Sequence, residues 1–209
     1  MMISLNLTYF ILASSCLIVG NEFVKRKFSM PVYITRKIAH FGGAFIAFLA
    51  PLFLSQKEII ILSTIFILVL FFTRRTKLFS SIQAVDRNTF GEVFLPMGIA
   101  LCALFFLPAD VKSFQFGILI MGISDGLAGL IGEGFGMHYF KLFTSRKSIE
   151  GTCIFFLTSL ILTFLFASEI DYRILTIPLF LTAVEFFLEY GLDNLVLPIV
   201  GAYLIHFFL

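Results

Sequence analysis

Charge is what this chain has least of. Only 13% of its 209 residues are Asp, Glu, Lys or Arg, against 59% hydrophobic residues, and the mean hydropathy is +1.03. Soluble domains are about half apolar and about one quarter charged. A water-soluble enzyme is therefore excluded, because the 29 Phe residues would far exceed what a core could hide from water. The 15 Lys and Arg nearly cancel the 13 Asp and Glu, which excludes a nucleic-acid partner held by a basic face and a disordered acidic tail. Cysteine is scarce as well. Cys16, Cys102 and Cys153 stand singly in apolar runs without Cys-x-x-Cys spacing, so they are assigned to packing and not to metal or disulfide chemistry. There is no basic segment ahead of the first apolar run, and Lys25, Arg26 and Lys27 follow it, the wrong polarity for a cleaved leader. That run is expected to remain as an anchor. The paired halves common among transporters are not visible either.

What the chain has is a series of apolar runs near 4–20, 38–56, 58–73, 92–108, 113–131, 152–168, 173–190 and 194–209, each close to the length of one hydrocarbon crossing. These predict an all-α polytopic membrane bundle of eight helices, or seven if one short run is re-entrant. The whole chain reads as one transmembrane domain, with 1–34 an anchor helix and basic interfacial segment and 35–209 the functional bundle. Lys and Arg collect in alternate connections: Lys25, Arg26, Lys27, Arg36 and Lys37 in the first, Arg74, Arg75, Lys77 and Arg87 in the third, Lys141, Arg146 and Lys147 in the fifth. By the positive-inside rule those connections are cytoplasmic and the N-terminus lies outside. A prokaryotic plasma membrane and the endoplasmic reticulum both suit this orientation. The connections are too short for a separate soluble domain, so chemistry has to be built from helix ends.

The unusual polar residues fall on the basic side. Arg36, Lys37 and His40 are spaced to share one helix face at the entrance of the second span, where they suit a polyanion, although Arg36 and Lys37 alone would also serve as an interfacial belt. Glu92, in the segment that follows Asp86-Arg87-Asn88, is explained by the favourable field at a helix N-terminus. In the fifth run, Asp125, Ala128, Gly129, Gly132 and Gly136 recur at helical spacing. Close helix packing accounts for the small residues. It does not account for Asp125, whose placement inside a span costs about 2.5–3.5 kcal/mol and marks a functional site, with magnesium and a nucleotide phosphate as suitable ligands. The loop Arg146-Lys147-Ser148-Ile149-Glu150-Gly151-Thr152 offers phosphate-binding groups, or equally a Ser-capped helix with Glu in its first turn. Glu185 and Glu189 are spaced for one helix face, and Asp193 and Asn194 follow in a turn or cap.

Taken in order, these segments resemble the CTP-dependent lipid kinases: dolichol kinase, phytol and farnesol kinases, and the yeast-type diacylglycerol kinase. The resemblance rests on Arg36-Lys37-x-x-His40, the Gly91–Gly98 segment, Asp125-x-x-Ala128-x-x-x-Gly132-x-x-x-Gly136, Lys147-Ser148-x-Glu150-Gly151-Thr152, Glu185, and Asp193-Asn194 with Pro198. Two departures stand out: Glu133-Gly134 where relatives often carry basic residues, and Leu192-Asp193-Asn194 where many have Asp-Asp-Asn. The resemblance implies transfer of the γ-phosphoryl group of CTP to a membrane lipid alcohol (polyprenol, shorter isoprenoid alcohol or diacylglycerol), with the apolar tail in a groove between Phe-rich helices. Asp125, with Glu185 or Asp193, would hold magnesium. Arg36, Lys37 and Lys147 would neutralise phosphate, with Lys141 or Arg146 in support and Ser148, Thr152 and Asn194 as further polar contacts. The backbone at Ala128, Gly129, Gly132, Gly136 and Gly151 would admit the nucleotide, and Glu150 would orient Lys147. Asp125, Glu185 and His40 all remain candidates for the base. A cytidylyltransferase acting on a lipid phosphate would use the same groups. A small transporter or flippase would use Asp125 and Glu185 for coupling.

Overall fold

The structure, a computed structural model, describes residues 4–84, 89–142 and 145–208; Asp86, Arg87 and Asn88 of the sequence reading lie outside the described residues. The helices are α1 Leu5–Phe28, α2 Val32–Leu49, α3 Gln56–Thr73, the one-turn α4 Ser80–Gln83, α5 Gly91–Phe106, α6 Val111–Leu119, α7 Gly126–Phe135, α8 Ile149–Phe166, α9 Arg173–Phe187 and α10 Asp193–Phe208. A π-helical turn, Ile120–Asp125, joins α6 to α7 into one apolar rod, Val111–Phe135. With the rod taken as one, the described residues carry a long helix for each of the eight apolar runs. Four of these are long and apolar enough to cross a membrane by themselves, and α5 and α10 are shorter apolar helices. The protein is an all-α membrane bundle. Besides the π turn and α4, the expectation missed a two-stranded antiparallel hairpin of β1 Tyr139–Leu142 and β2 Ser145–Ser148.

Local sequence sets the helix boundaries. Ser4 caps α1, Ser55 and Glu58 form a reciprocal capping box on α3, Asp110 caps α6, and Ser148 caps α8 by accepting from Gly151 N. The α1 helix runs on to Phe28, beyond the apolar run that ended near residue 20, because its polar last turns are held by the neighbouring chain. Asn21 donates to the Thr35 carbonyl, and Glu22 accepts from Arg26, Ser80 and the Ser81 N–H. Ser29 then turns the chain in the left-handed region, and α2 begins directly after Pro31.

Polar ties sort the helix ends into two sets. At the far end, Ser4 bonds Glu58, Gln56 donates to the Ala103 and Leu104 carbonyls, His206 meets Asp110 at 2.6 Å, and Arg173 bonds the Phe208 carbonyl. The near end holds the starts of α2, α5, α8 and α10 and the ends of α1, α3, α7 and α9. Eleven of the fifteen Lys and Arg stand at the near end; Lys57, Lys112 and Arg173 stand at the far end.

The rod is the axis of the bundle: 61% of its most apolar window is buried, against 17% for α1 and 22% for α3. Phe114, Phe116, Phe155, Met121, Leu181 and Leu197 are fully enclosed around it, whereas Phe45, Phe72, Phe105 and Phe164 face outward. Much of the Phe surplus therefore lies where lipid can cover it. Two glycines permit the closest crossings with α10. A Cβ at Gly98 would lie 2.2 Å from the Asn194 carbonyl oxygen, and one at Gly117 2.0 Å from that of Pro198.

Candidate active site

At the near end, α2, the rod and α10 enclose a polar cavity of about 500 Å³ lined by Arg36, Lys37 and His40 with Asp125, Glu133, Asp193 and Asn194. The three α2 residues share a face, as their spacing predicts, and Tyr33, three residues before Arg36, joins them in the lining. Sequence reasoning passed over Tyr33, although the same i, i+3 rule would have found it.

The π turn sets the chemistry of the rod. His40 Nε2 lies 2.9 Å from the Met121 carbonyl oxygen and 3.7 Å from Asp125 Oδ2. A carbonyl can only accept, so Nε2 is the donor in that contact. Lys37 Nζ donates to the Asp125 carbonyl at 3.4 Å and passes directly over Gly129, where a Cβ would stand 2.2 Å from the ammonium nitrogen. Wide turns of this kind are rare and concentrate at functional sites; here both Met121 and Asp125 belong to it.

The start of α10 closes the cavity from the other side. Asp193 stands within electrostatic reach of Asp125, Lys37 and Lys147. Asn194 Nδ2 donates to the Gly91 carbonyl at 2.9 Å, and Phe90 N donates to the Tyr190 carbonyl at 2.9 Å, which docks the entrance of α5 on the α9–α10 turn. That turn requires left-handed backbone at Tyr190 and Gly191, and a Cβ on Gly191 would meet Gly91 N at 2.4 Å. Arg36 donates to Thr89 at 3.4 Å. Glu92 is at the start of α5 as expected, and it is also buried in an ion pair with Arg74 from the end of α3.

The groups from 146–152 are placed differently from expectation. Lys147 is oriented by Glu185, not by Glu150: its Nζ lies 2.7 Å from Glu185 Oε1 and also bonds the Glu185 carbonyl. Glu150 turns away to His138, taking its backbone N–H at 3.1 Å and its Nδ1 at 2.7 Å. Arg146 is exposed, with its guanidinium 3.9 Å above the Tyr139 ring, and Lys141 is exposed on β1. Ser148 and Thr152 serve the α8 cap, since Gly151 N donates to Ser148 Oγ and Thr152 Oγ1 donates to the Ser148 carbonyl.

Two further expectations are corrected by packing. Gly132 and Gly136 close on Ser148, and Gly151 on the Ala128 carbonyl, so this part of the small-residue stripe seats α8 and does not face the cavity. Glu189 does not share a helix face with Glu185, because α9 ends at Phe187.

Magnesium bound with a nucleotide needs only one or two protein carboxylates, the phosphates and water supplying the other ligands. Asp125 and Asp193 line the same cavity and fit that demand. Among the described residues no three His, Cys, Asp or Glu side chains gather as a metal centre, and Glu185 is engaged by Lys147. Asp125, Glu185 and Asp193 therefore do not form a ready-made three-carboxylate site.

No protein-family model matches this chain, and no solved structure does. Among curated proteins, the chain is 28% identical over 190 residues to the phytol kinase of Synechocystis sp., a match that covers 87% of this chain and 82% of that protein.

Proposed function

We propose that this protein is a lipid-alcohol kinase that moves the γ-phosphoryl group of CTP to the hydroxyl of an isoprenoid or other membrane alcohol. The observation that carries this reading is the single cavity in which two α2 cations face Asp125 and Asp193 at one end of the bundle. Phosphoryl transfer asks for positioning and charge neutralisation more than for covalent chemistry, and such a cavity offers both signs of charge. The named activity of the Synechocystis relative supports the kinase class and the alcohol acceptor; the choice of CTP follows the motif resemblance.

In this reading Arg36 and Lys37 neutralise the phosphate chain from the α2 face. Asp125 and Asp193 would hold the magnesium that accompanies the nucleotide, whose chemistry would be to screen charge on the phosphates. The alcohol oxygen attacks the γ-phosphorus, the bond to the bridging β–γ oxygen breaks, CDP leaves, and the hydroxyl proton passes to a base. Asp125 and His40 line the cavity and are the two candidates for that base; Glu185 is held by Lys147. Lys147 contributes to the field around Asp193 and keeps Glu185 neutralised. The basic near end faces the cytoplasm, where the nucleotide is.

The test is incubation of purified protein and magnesium with CTP labelled at the γ position, against labelled ATP, across polyprenols, short isoprenols and diacylglycerol. Transfer of label from CTP to an alcohol is the expected result. Asp125→Asn should lower turnover at least ~100-fold while detergent-solubilised protein keeps its elution profile. Retention of activity in that variant would remove Asp125 from the mechanism. Incorporation of the α-phosphorus into a lipid phosphate, with release of pyrophosphate, would replace the kinase by a cytidylyltransferase.

A further inference from the structure

A second cavity lies against the first. It is an apolar cleft between α1, α2, α3 and α5 that shares Arg36, His40 and Asn194 with the polar cavity. One face of α2 forms its floor, through Ala39, Gly43 and Ala47, continued by Ala50 just past its end. At 1.5 Å per residue, the stretch from Arg36 to Ala50 spans about 21 Å, most of a hydrocarbon core about 30 Å thick. The small side chains on this floor keep the cleft open, while Leu17 from α1, Leu62 and Leu70 from α3, and Leu95 and Ile99 from α5 wall it in.

Polarity in the cleft is graded. Apart from Ser14 and Ser63, its polar groups lie at one end: Arg36, His40, Glu92 and Asn194. Two acceptors there are buried without a hydrogen bond. Asn194 gives its Nδ2 to the Gly91 carbonyl, which leaves Oδ1 unmatched, and Glu92 uses Oε1 for Arg74, which leaves Oε2 unmatched. Both residues are only 6% exposed. Buried acceptors are rarely left unpaired, so their position at the head of an apolar slot points to a ligand that brings a donor. An alcohol with a long hydrocarbon body has that polarity.

We infer that this cleft holds the hydrocarbon chain of a single-chain alcohol, with the hydroxyl donating to Asn194 or Glu92 in the resting complex and turning to the base in the adjoining polar cavity for transfer. The inference rests on the kinase reading for the identity of the headgroup, but the cleft itself is independent of it. The cleft is open on one side and its volume is about 110 Å³, below the roughly 150 Å³ of a protein cavity that accommodates one benzene. Spread along α2, that is narrower than one hydrocarbon chain, so a single chain enters only by displacement of side chains and two side by side would need far more. The lining is largely aliphatic, with Phe66 its one phenylalanine, although α2, α3 and α5 around it are the kind of Phe-rich helices between which the sequence reading placed the tail. Diacylglycerol is thereby disfavoured against isoprenoid alcohols.

The experiment uses the full-length protein in detergent or vesicles with a diazirine-bearing isoprenol as the probe. Irradiation should place adducts on α2, α3 and α5 at cleft residues such as Ala47, Leu62 and Ile99, and unlabelled isoprenol should compete them away. Adducts confined to outward residues such as Phe72 and Phe105, without competition, would overturn the assignment. In parallel, Gly43→Leu and Ala47→Leu should raise KM for long isoprenols at least tenfold, shift preference to shorter ones and leave nucleotide affinity unchanged. Unaltered chain-length preference in both variants, with nucleotide affinity intact, would overturn it as well. Photolabelling does not depend on turnover. Competed adducts in the cleft without phosphoryl transfer would uphold the chain site and defeat the kinase reading, whereas efficient phosphorylation of diacylglycerol would uphold the kinase and defeat the single-chain cleft.

Discussion

Lys147 and Glu185 show how far a side chain's partner can lie from its sequence neighbours. Their side chains are only 14% and 10% exposed, and the two residues are 38 positions apart. Removing one member of such a pair leaves an uncompensated charge, at about 3–5 kcal/mol. Lys147→Ala should therefore lower the thermal midpoint sharply as well as activity, and Lys147→Met with Glu185→Gln should recover much of the midpoint. If Lys147→Ala melts like the parent protein, the pair is not structural and Lys147 acts directly on substrate. Residue identities were legible: Arg36, Lys37, His40 and Asp125, singled out by spacing and insertion cost, and Asp193 and Asn194, which the family resemblance brought in, all line one cavity. Pairings were less so. Glu150 is three residues from Lys147 in sequence, and nothing local shows that it turns to His138 instead.

Elements divide in the same way. Eight apolar runs give eight long helices, because a hydrocarbon crossing imposes a length that hydropathy reads directly. The hairpin at 139–148 left no such mark; it is anchored by tertiary contacts, with Phe140 stacked on Phe186 at 5.0 Å and His138 tied to Glu150. The π turn is equally silent, since one wide turn barely alters the period of an apolar sequence, yet it sets the register between Asp125 and the first half of the rod. Deletion of Ile123, which is 36% exposed and removes little core, would let the rod become a regular α-helix with α7 in nearly its present orientation, because a wide turn holds about one extra residue, and the Met121 carbonyl that meets His40 would be drawn back into the helix. Helix content measured by circular dichroism should hardly change, while phosphoryl transfer should disappear. Normal activity in the deletion would show that the wide turn is dispensable.

Across the whole molecule, basic charge and the candidate site are sorted to one end. Lys141 and Arg146 on the hairpin belong to the basic near end, so Lys141→Cys in sealed inside-out vesicles should react with an impermeant maleimide, and Lys57→Cys at the far end should not. The reverse pattern would invert the orientation drawn from loop charge. The far end, in contrast, is stitched shut: Ser4 to Glu58, Gln56 to α5, His206 to Asp110, Arg173 to the α10 terminus. On the kinase proposal, those ties would make a one-sided catalyst. A lipid phosphorylated at the near end keeps its new charge in the leaflet from which the alcohol came, and the added phosphate raises the barrier to spontaneous flip. The two monolayers of the host membrane would thus drift apart in composition as the reaction proceeds, and any use of the product on the opposite surface requires a separate protein to carry it across.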